Sequence, residues 1–221
     1  MNKVLVISAH LDDEVLGCGG TMARHAGDGD ELSVLNVCDR SEAHRFDADV
    51  VARLRVQANR MCKIIGIGNL ILGKLADEYL DVSLADVIKP IEEAIEKVKP
   101  DIIYTHHRND VNQDHRAIFN ATLVATRSFT YPFIKQVYSF EVLSTTEQAP
   151  ASLGWGFAPN HFVDIKNTID RKIRGMKCYK TEIDAFPFPR SEKGIKVLAN
   201  FRGMQAGFEY AEAFETIRTT R

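Results

Sequence analysis

A short polar segment after the first apolar stretch of the chain carries side chains that could bind a metal. Residues Val4 to Ile7 are apolar, and the chain continues Ser8-Ala9-His10-Leu11-Asp12-Asp13-Glu14. In an α/β protein, the loop that follows such a strand lies at the carboxyl edge of the sheet, where ligands bind. His10 and Asp13 are three residues apart and can reach one ion as the loop turns into a helix. An imidazole and a carboxylate suit zinc, which in catalytic sites takes three protein ligands and keeps a position for water.

The third ligand is expected from a second polar segment. The stretch Asp101-Ile102-Ile103-Tyr104-Thr105 precedes His106-His107-Arg108-Asn109-Asp110-Val111-Asn112-Gln113-Asp114-His115. This is again a strand followed by a polar loop, and both loops can lie at one sheet edge, which brings His115 to the first pair. Asp114, or a neighbouring carbonyl, is expected to orient the imidazole of His115 by accepting its second N–H, with a share in proton handling.

Each of these residues also has a simpler explanation. A histidine in a loop is usually solvated, and loops carry function often but not always. Adjacent aspartates before a helix commonly cap its first turn. The combination of two strands, each followed by histidine and aspartate, favours a metal site over these separate explanations.

These two segments resemble a known family. Ala9-His10-Leu11-Asp12-Asp13-Glu14 resembles the Ala-His-Pro-Asp-Asp-Glu signature of the PIG-L/LmbE zinc-dependent N-acetylglucosamine deacetylases, and Asn112-Gln113-Asp114-His115 resembles the family's second motif. The resemblance runs over almost the whole chain. It implies that His10, Asp13 and His115 bind zinc or another divalent metal. It also implies that Asp12 is the general base.

Further segments resemble the same family. Leu72-Gly73, followed by Asp77-Glu78-Tyr79-Leu80-Asp81, resembles a stretch whose first aspartate binds sugar hydroxyls, which implies Asp77 for that role. A helical arginine that binds substrate in some relatives aligns with either Arg53 or Arg55. The late run Arg202-Gly203-Met204-Gln205-Ala206-Gly207, with Tyr210-Ala211-Glu212-Ala213-Phe214 behind it, resembles a recurring family ending to which no chemistry is assigned.

Two positions depart from the family pattern. Leu11 stands where the family usually has proline, which removes rigidity but no ligand. Asn112 stands where many members carry a histidine that helps to stabilise the oxyanion. Its amide can donate a hydrogen bond but supplies no positive charge. His107 and His161 are the candidate replacements for that charge.

The predicted activity is removal of the N-acetyl group from an N-acetylglucosamine-type sugar or sugar conjugate, which releases acetate and a free amine. Asp12 would take a proton from water and deliver it to the leaving amine, with zinc activating both water and carbonyl. Two alternatives stay open, an amidase acting on another amide-bearing conjugate and a noncatalytic metal-binding relative. The expected partners are a small amino-sugar conjugate and, by resemblance, further copies of the chain in a trimer or hexamer.

Two other classes are disfavoured by the same residues. The glycines Gly17, Gly19 and Gly20 invite a dinucleotide-binding interpretation, but Met22 stands where the third glycine of that motif belongs. A carboxylate-rich loop would also repel pyrophosphate. A thiol enzyme based on Cys18 lacks an obvious paired base, although His25 is near in sequence.

Composition indicates a single enzyme domain over residues 1–221. The chain is 45% hydrophobic, enough for a full core, and has a net charge of −2, which offers no electrostatic footprint for nucleic acid. No apolar run approaches a membrane span, and the start lacks a signal-peptide pattern, so the cytoplasm is the default compartment. The four cysteines are scattered without a Cys-x-x-Cys pair, which predicts reduced core thiols.

The expected fold is α/β, a Rossmann-like, mostly parallel sheet with helices on both faces. Alternation of short β-branched runs with helical patterns favours this architecture. Strands are predicted from 4 to 8, 32 to 37, 69 to 72, 101 to 105 and 136 to 142. Helices are predicted from 14 to 26, 43 to 65, 84 to 98, 117 to 126, 166 to 179 and 191 to 205, with a long loop from 144 to 160.

Overall fold

The protein alternates strands and helices around one sheet, as a computed structural model covering residues 1–39, 48–81 and 83–220 describes it. The strands are β1 (Lys3–Ser8), β2 (Glu31–Asp39), β3 (Asn69–Ala76), β4 (Ile102–His106), β5 (Gln136–Phe140), β6 (His161–Asp164) and β7 (Ala211–Thr219). The helices are α1 (Asp13–Gly27), α2 (Ala48–Ile65), α3 (Leu84–Val98), α4 (Gln113–Ala125), α5 (Ile169–Met176) and α6 (Glu192–Ala206). Residues 43–47 of the second predicted helix lie outside the described range. No helix within that range is both long and apolar enough to cross a bilayer.

The sheet has seven strands in the order β3-β2-β1-β4-β5-β7-β6. The first five strands along the chain are parallel, and β7 runs antiparallel to both of its neighbours. The strand order reverses between β1 and β4, so a crevice opens beyond the carboxyl ends of these two strands. The predicted fold class is therefore confirmed, and the two polar segments follow the two strands that flank this reversal.

Two hydrophobic cores lie on opposite faces of the sheet, and β1 contributes to both. Val4 and Val6 pack in the core that α1, α2, α5 and α6 cover, whereas Leu5 and Ile7 pack in the core beneath α3 and α4. All four side chains are fully buried, as the period of two in a strand covered on both faces requires. Burial on both sides holds the end of β1, and hence the loop at His10, in a fixed place.

The last two strands were missed by sequence reasoning, which predicted the two helices, α5 and α6, that lie between them. β6 has only four residues, and β7 begins with alanine and glutamate instead of an apolar run. The predicted loop from 144 to 160 is also partly ordered, into the 3₁₀ turns Thr146–Gln148 and Ala151–Leu153. Strands without β-branched runs give little periodic signal, so pairing of β7 with β5 and of β6 with β7 decides their structure.

The late family-like ending has a structural role that sequence reasoning could not assign. Glu212 of β7 is buried and accepts hydrogen bonds from Gly20 N (2.9 Å) and Thr21 N (2.6 Å) in the middle of α1. These N–H groups are available because α1 kinks at Cys18, whose backbone is not helical (φ −144°). Lys172 Nζ neutralises the carboxylate at 2.5 Å. Glu212 therefore stabilises the kinked helix that begins beside the polar loop.

Glycines of the first motif serve close packing and not phosphate binding. A Cβ on Gly17 would lie 2.2 Å from Phe140 Cδ2, and Phe140 is fully buried in the core. We expect Gly17→Ala to lower the free energy of unfolding by about 1–3 kcal/mol, because the core must shift to admit the methyl group. Gly27→Ala, at the open end of the same helix, is the matched control and should gain up to about 1 kcal/mol from helix propensity. Equal unfolding midpoints in urea for the two variants would contradict this packing.

Candidate metal centre

Buried polar side chains from the β1 and β4 loops meet in the crevice between these strands. His10 and Asp13 follow β1 and open α1, and His115 lies in the first turn of α4, which follows β4. Pairing of Val4 with Ile102 and of Val6 with Tyr104 sets the two strands level, so that their loops leave the sheet side by side. The structure thus brings together the three residues that the sequence proposes as ligands.

The carboxylate of Asp13 lies at the centre of this group. Its Oδ2 atom is 3.1 Å from His10 Nδ1 and 3.2 Å from His115 Nε2, and it accepts a hydrogen bond from His10 N at 2.9 Å. The donor atoms of the three side chains all lie within 4.8 Å of one another. All three residues are at least nine-tenths buried. Two imidazole nitrogens and one carboxylate oxygen at this spacing form a donor set that could hold a divalent metal such as zinc.

A second layer of carboxylates holds the far sides of both imidazoles. Asp77 Oδ1 lies 2.7 Å and Asp114 Oδ2 3.0 Å from His10 Nε2. Asp110 Oδ2 lies 3.1 Å from His115 Nδ1. The expectation that Asp114 orients His115 is therefore wrong, because Asp114 contacts His10 and Asp110 takes the position beside His115. Carboxylates in such positions orient metal-binding histidines and raise their basicity.

These outer carboxylates are themselves held by hydrogen bonds. Asp114 accepts from the backbone N–H groups of Glu78 (2.7 Å) and Leu80 (3.1 Å), which ties the segment after β3 to α4. Asp110 accepts from the hydroxyls of Thr145 (2.9 Å) and Thr146 (2.6 Å). The imidazoles therefore face groups that have little freedom to move away.

The charges of the cluster favour positive charge at its centre. Burial lowers the pKa of His10, but Asp114, Asp13 and Asp77 outweigh burial and hold this pKa well above its usual value. Burial also lowers the pKa of His115, but Asp13 and Asp110 raise it to about 9. Burial raises the pKa of Asp13, but the two histidines hold it well below its usual range. The surplus of carboxylates thus stabilises positive charge, whether as protons on imidazoles or as a divalent cation.

The hydrogen bonding of His115 also fits a metal at this cluster. Both ring nitrogens of His115 are buried, and although Asp110 lies close to Nδ1 and Asp13 close to Nε2, neither nitrogen makes a hydrogen bond of good geometry with any described residue. Buried polar atoms in native proteins are almost always satisfied. A cation shared by His115 Nε2, Asp13 and His10 Nδ1 satisfies the Nε2 nitrogen.

Asp12 has an unusual backbone and does not cap the helix. Its φ of 119° lies in a region that non-glycine residues rarely adopt, and its side chain makes no capping bond to the first turn of α1. Instead, Glu14 accepts from the backbone N–H of Asp12 at 3.2 Å. The capping interpretation is therefore wrong for Asp12, and the strain is of the kind that persists at functional sites.

A second set of possible ligands overlaps the first at His10. It consists of His10, Cys38, Asp77 and Asp114, whose donor atoms also lie within 4.8 Å of one another. Cys38 ends the buried part of β2, and burial raises the pKa of its thiol to about 11. Sequence reasoning placed Cys38 among the core thiols because it has no nearby second cysteine. All four cysteines are free thiols, yet the sheet brings this one to the site.

Comparison with known proteins identifies the family. The sequence profile of PIG-L, described as GlcNAc-PI de-N-acetylase, matches residues 5–126, which contain both polar segments. The chain belongs to the PIG-L family. It is accordingly an enzyme of the hydrolytic N-deacetylase type.

Three curated relatives extend the match. YaiS of Escherichia coli, named an uncharacterized deacetylase, is 29% identical over 185 residues, 80% of this chain and 90% of that protein. Diacetylchitobiose deacetylase of Thermococcus kodakarensis is 22% identical over 232 residues, 98% of this chain and 84% of that protein. The 4-oxalmesaconate hydratase of Pseudomonas putida is 27% identical over 197 residues, 80% and 72% of the two chains.

Solved structures share the whole fold. The conserved protein TT1542 of Thermus thermophilus superposes with a TM-score of 0.80 at 20% identity, covering 100% of this chain and 97% of that one. N,N'-diacetylchitobiose deacetylase of Pyrococcus horikoshii gives 0.79 at 19% identity, covering 98% and 84%. The zinc-inhibited form of teicoplanin deacetylase Orf2 gives 0.74 at 18% identity, covering 98% of each chain.

Asn112, at the position where many PIG-L members carry histidine, is the N-cap of α4. Its side-chain oxygen accepts from Asp114 N at 2.8 Å. The amide oxygen is thus used in starting the helix that carries Asp114 and His115. Only the amide nitrogen is left to donate a hydrogen bond.

The two histidines suggested as replacements do not contact the cluster. His107 is fully buried, lies 3.5 Å from Glu215 and packs edge-on against Phe157. His161 stacks on Tyr138 with 4.5 Å between ring centroids. The tertiary structure therefore places neither imidazole beside the proposed ligands.

His106 is the histidine that sequence reasoning passed over. Its ring stacks on His115 with 3.9 Å between centroids, and its Nε2 accepts from Ala9 N at 2.9 Å. Burial and the neighbouring His115 hold the pKa of His106 well below its usual value, so it stays neutral. It connects the ends of β1 and β4 and supports the face of His115. Its position as the last residue of a strand was the available signal.

Of the two candidate arginines, Arg55 lies at the mouth of the site. A small pocket is lined by His10, Leu11, Cys38, Asp39, Val51, Leu54, Arg55 and Leu72. Arg55 Nη2 lies 2.6 Å from Asp39 Oδ2, with its side chain 47% exposed. Arg53 is also exposed on α2 but does not line this pocket. The structure of α2 thus favours Arg55 over Arg53, which the family resemblance could not distinguish.

Proposed function

We propose that this protein is a zinc-dependent hydrolase that removes the N-acetyl group from an N-acetylglucosamine-type sugar or sugar conjugate. The observation that carries the proposal is the buried cluster of His10, Asp13 and His115. Next to it in sequence lies the carboxylate of Asp12, a residue whose backbone is strained. Deacetylases among the curated relatives support the reaction, and the donor atoms of the cluster support a divalent metal.

The proposed reaction breaks an amide bond with water. When bound by these three ligands, zinc lowers the pKa of water towards about 7 and polarises the acetyl carbonyl. Asp12 accepts the proton that water loses as its oxygen bonds to the carbonyl carbon. The same carboxyl group then delivers that proton to the amine as the C–N bond breaks, which leaves acetate and a free amine. Such acid–base catalysis contributes about 10²–10⁴-fold in rate.

Residues around the pocket are assigned to the sugar. Asp77 follows β3 and borders the cluster through His10, so its carboxylate is proposed to accept hydrogen bonds from sugar hydroxyls beside the metal. Arg55, on the wall of the pocket, is proposed to contact the rest of the conjugate. The amide of Asn112 is proposed to donate a hydrogen bond to the carbonyl oxygen as charge develops there. Arg53 and His107 stay weaker candidates for substrate binding, since neither lines the pocket and neither has a described contact with His10, Asp13 or His115.

Release of a free amine from N-acetylated sugars tests the proposal. The purified protein is incubated with free N-acetylglucosamine and with nucleotide-, lipid- and thiol-linked N-acetylglucosamine conjugates, and free amine and acetate are measured. We expect both products in equal amounts, loss of activity with a chelator, and recovery when zinc is added back. The variant Asp12→Asn, prepared identically, controls for contaminating deacetylases. Absence of both products from every conjugate, in protein that contains metal, would contradict the proposal.

A second reaction is favoured by one comparison. The 4-oxalmesaconate hydratase is as similar to this chain as the deacetylases are, so the same fold also serves a protein named for adding water to a substrate. The same metal and carboxylate would then activate water for attack on a carbon–carbon double bond, with no amine released. Loss of ultraviolet absorbance from a conjugated dicarboxylate, without any amine, would identify this reaction.

The assembly and the domain boundaries stay predictions. A single domain over residues 1–221 is predicted from length and composition, and a trimer or hexamer from the resemblance alone. Sedimentation equilibrium of the purified chain measures the assembly directly. A mass equal to one chain at micromolar concentration would contradict the oligomer.

A further inference from the structure

Arg190 contacts the proposed base from a distant part of the chain. It lies just before Ser191, the N-cap of α6, and its Nη1 atom lies 2.9 Å from Asp12 Oδ2. The same atom lies 3.1 Å from Glu182 Oε2. Nothing in the metal cluster or in the family-like motifs accounts for this contact between residues 178 positions apart.

The surroundings of Arg190 restrict how the guanidinium is oriented. The side chain of Asp12 is 3% exposed and that of Arg190 is 23% exposed, so the pair is largely withdrawn from water. The guanidinium carbon lies 5.2 Å from the centre of the Phe188 ring, and Glu182 Oε2 contacts the same Nη1 atom as Asp12 does. An arginine packed in this way presents its N–H groups in fixed directions.

The backbone of Asp12 gives independent evidence that this carboxylate is held in one place. With φ at 119°, the residue leaves the helix path and directs its side chain away from the capping position. Such strain persists only where surrounding contacts over-determine the conformation. The contact to Arg190 Nη1 is one of these contacts, and it acts on the carboxylate itself.

We propose that Arg190 is a positioning residue that fixes the carboxylate of Asp12 in the orientation needed for proton transfer. This inference rests on the proposed function. A carboxylate that rotates freely spends little time aligned with the water and the leaving nitrogen, and misplacement by about 1 Å can lower the rate about 10²-fold. Because Arg190 acts through Asp12, its loss lowers kcat and leaves KM and metal content nearly unchanged.

A purely structural role is the competing explanation. Arg190 could tether the segment from Glu182 to the start of α6 onto the β1 loop without affecting the chemistry. In that case its replacement would change KM together with kcat. A change of charge near the site could also act non-specifically, and Lys193 controls for this effect. Lys193 lies three residues on, its Nζ is 4.3 Å from the Phe186 ring centre, and no described contact joins it to Asp12.

The experiment compares Arg190→Gln, Arg190→Lys and the control Lys193→Gln with the wild type, all in zinc-loaded protein. We expect kcat to fall about 10–100-fold in Arg190→Gln with KM within about twofold. Recovery should be partial in Arg190→Lys and also when guanidinium chloride is added at non-denaturing concentration to Arg190→Gln. Lys193→Gln should behave as the wild type. Equal losses in both glutamine variants, or a rise in KM with unchanged kcat, would overturn the proposal.

A second measurement does not depend on activity. Urea unfolding midpoints are compared for the wild type, Arg190→Gln, Asp12→Asn and the double variant. We expect Arg190→Gln to lower the midpoint in the wild type and to have a much smaller effect when Asp12 is already replaced. An equal shift in both backgrounds would overturn the contact on which the proposal stands. If no N-acetyl substrate is hydrolysed but this coupling is present, the proposed function fails while the positioning of Asp12 is retained.

Discussion

Replacing Asp12 with asparagine is expected to remove nearly all turnover while the protein keeps its metal. Asp12 does not belong to the group of donor atoms around Asp13 Oδ2, so its amide analogue leaves the ligands intact. An amide cannot take a proton from water or return one to the leaving amine, and the loss of that step lowers kcat by about 10²–10⁴-fold. Steady-state kinetics and metal analysis on the same preparation measure both effects.

The reverse pattern has a clear meaning. If Asp12→Asn loses metal while Asp13→Asn retains it, the two aspartates exchange roles. Their positions make this a sharp distinction, because Asp13 lies between two imidazoles whereas Asp12 contacts Arg190. Metal analysis of the two variants therefore distinguishes the role of Asp12 from that of Asp13.

The strained backbone of Asp12 allows two inactive variants to be compared in stability. Asp12→Ala and Asp12→Gly both lose the carboxylate and should both be inactive. Glycine adopts the φ of 119° without steric strain, whereas alanine keeps the Cβ that makes it unfavourable. We therefore expect the glycine variant to be more stable than the alanine variant by about 1 kcal/mol in urea unfolding.

Replacing Asp13 or His115 is expected to abolish metal binding altogether. Asp13→Asn keeps the shape of the side chain but removes the negative charge that faces His10 and His115 at 3.1 and 3.2 Å. With one of three ligands weakened, metal content should fall close to zero, against a stoichiometric amount in the wild type. Atomic absorption after dialysis measures it, and activity should be lost in parallel. Breaking a buried charged pair also costs about 3–5 kcal/mol, so His115→Gln, which removes the other partner of the pair, serves as a second variant.

Two controls decide which of the overlapping clusters holds the metal. Cys38→Ser should keep its metal if His10, Asp13 and His115 are the ligands, and should lose it if Cys38, Asp77 and Asp114 bind it together with His10. His25→Gln replaces a histidine that pairs with Asp30 at 2.7 Å away from the cluster, and it should keep full metal content. Full loading of His115→Gln would exclude the proposed ligand set.

Local sequence patterns were sufficient for most of the regular structure. The predicted strand that begins at Val4 and the predicted helix from Leu84 to Val98 match the observed elements closely. In both, the apolar period agrees with burial, since β1 is covered on both faces and α3 on one. β7 was missed because its residues Ala211 to Thr219 have no such period and are ordered by pairing with β5.

For the site, too, part of the chemistry was predictable from local sequence and part was not. Residue types and their spacing after two strands were enough to propose His10, Asp13 and His115, because parallel strands deliver their loops to one edge. The partner of each imidazole was not predictable, and Asp114 was assigned to the wrong one. Which side chains become partners depends on small differences in the positions of elements that are remote in sequence, and no local pattern encodes these positions.

The sequence by itself determined the fold class, the family and the three candidate ligands, since these depend on local period and on short motifs. Only the tertiary structure decided that Asp110 faces His115, that Cys38 borders the cluster and that Arg190 contacts Asp12. Each of these contacts joins segments that are adjacent only because the sheet packs them together. Burial then makes the contacts strong, because charges withdrawn from water must be paired with one another.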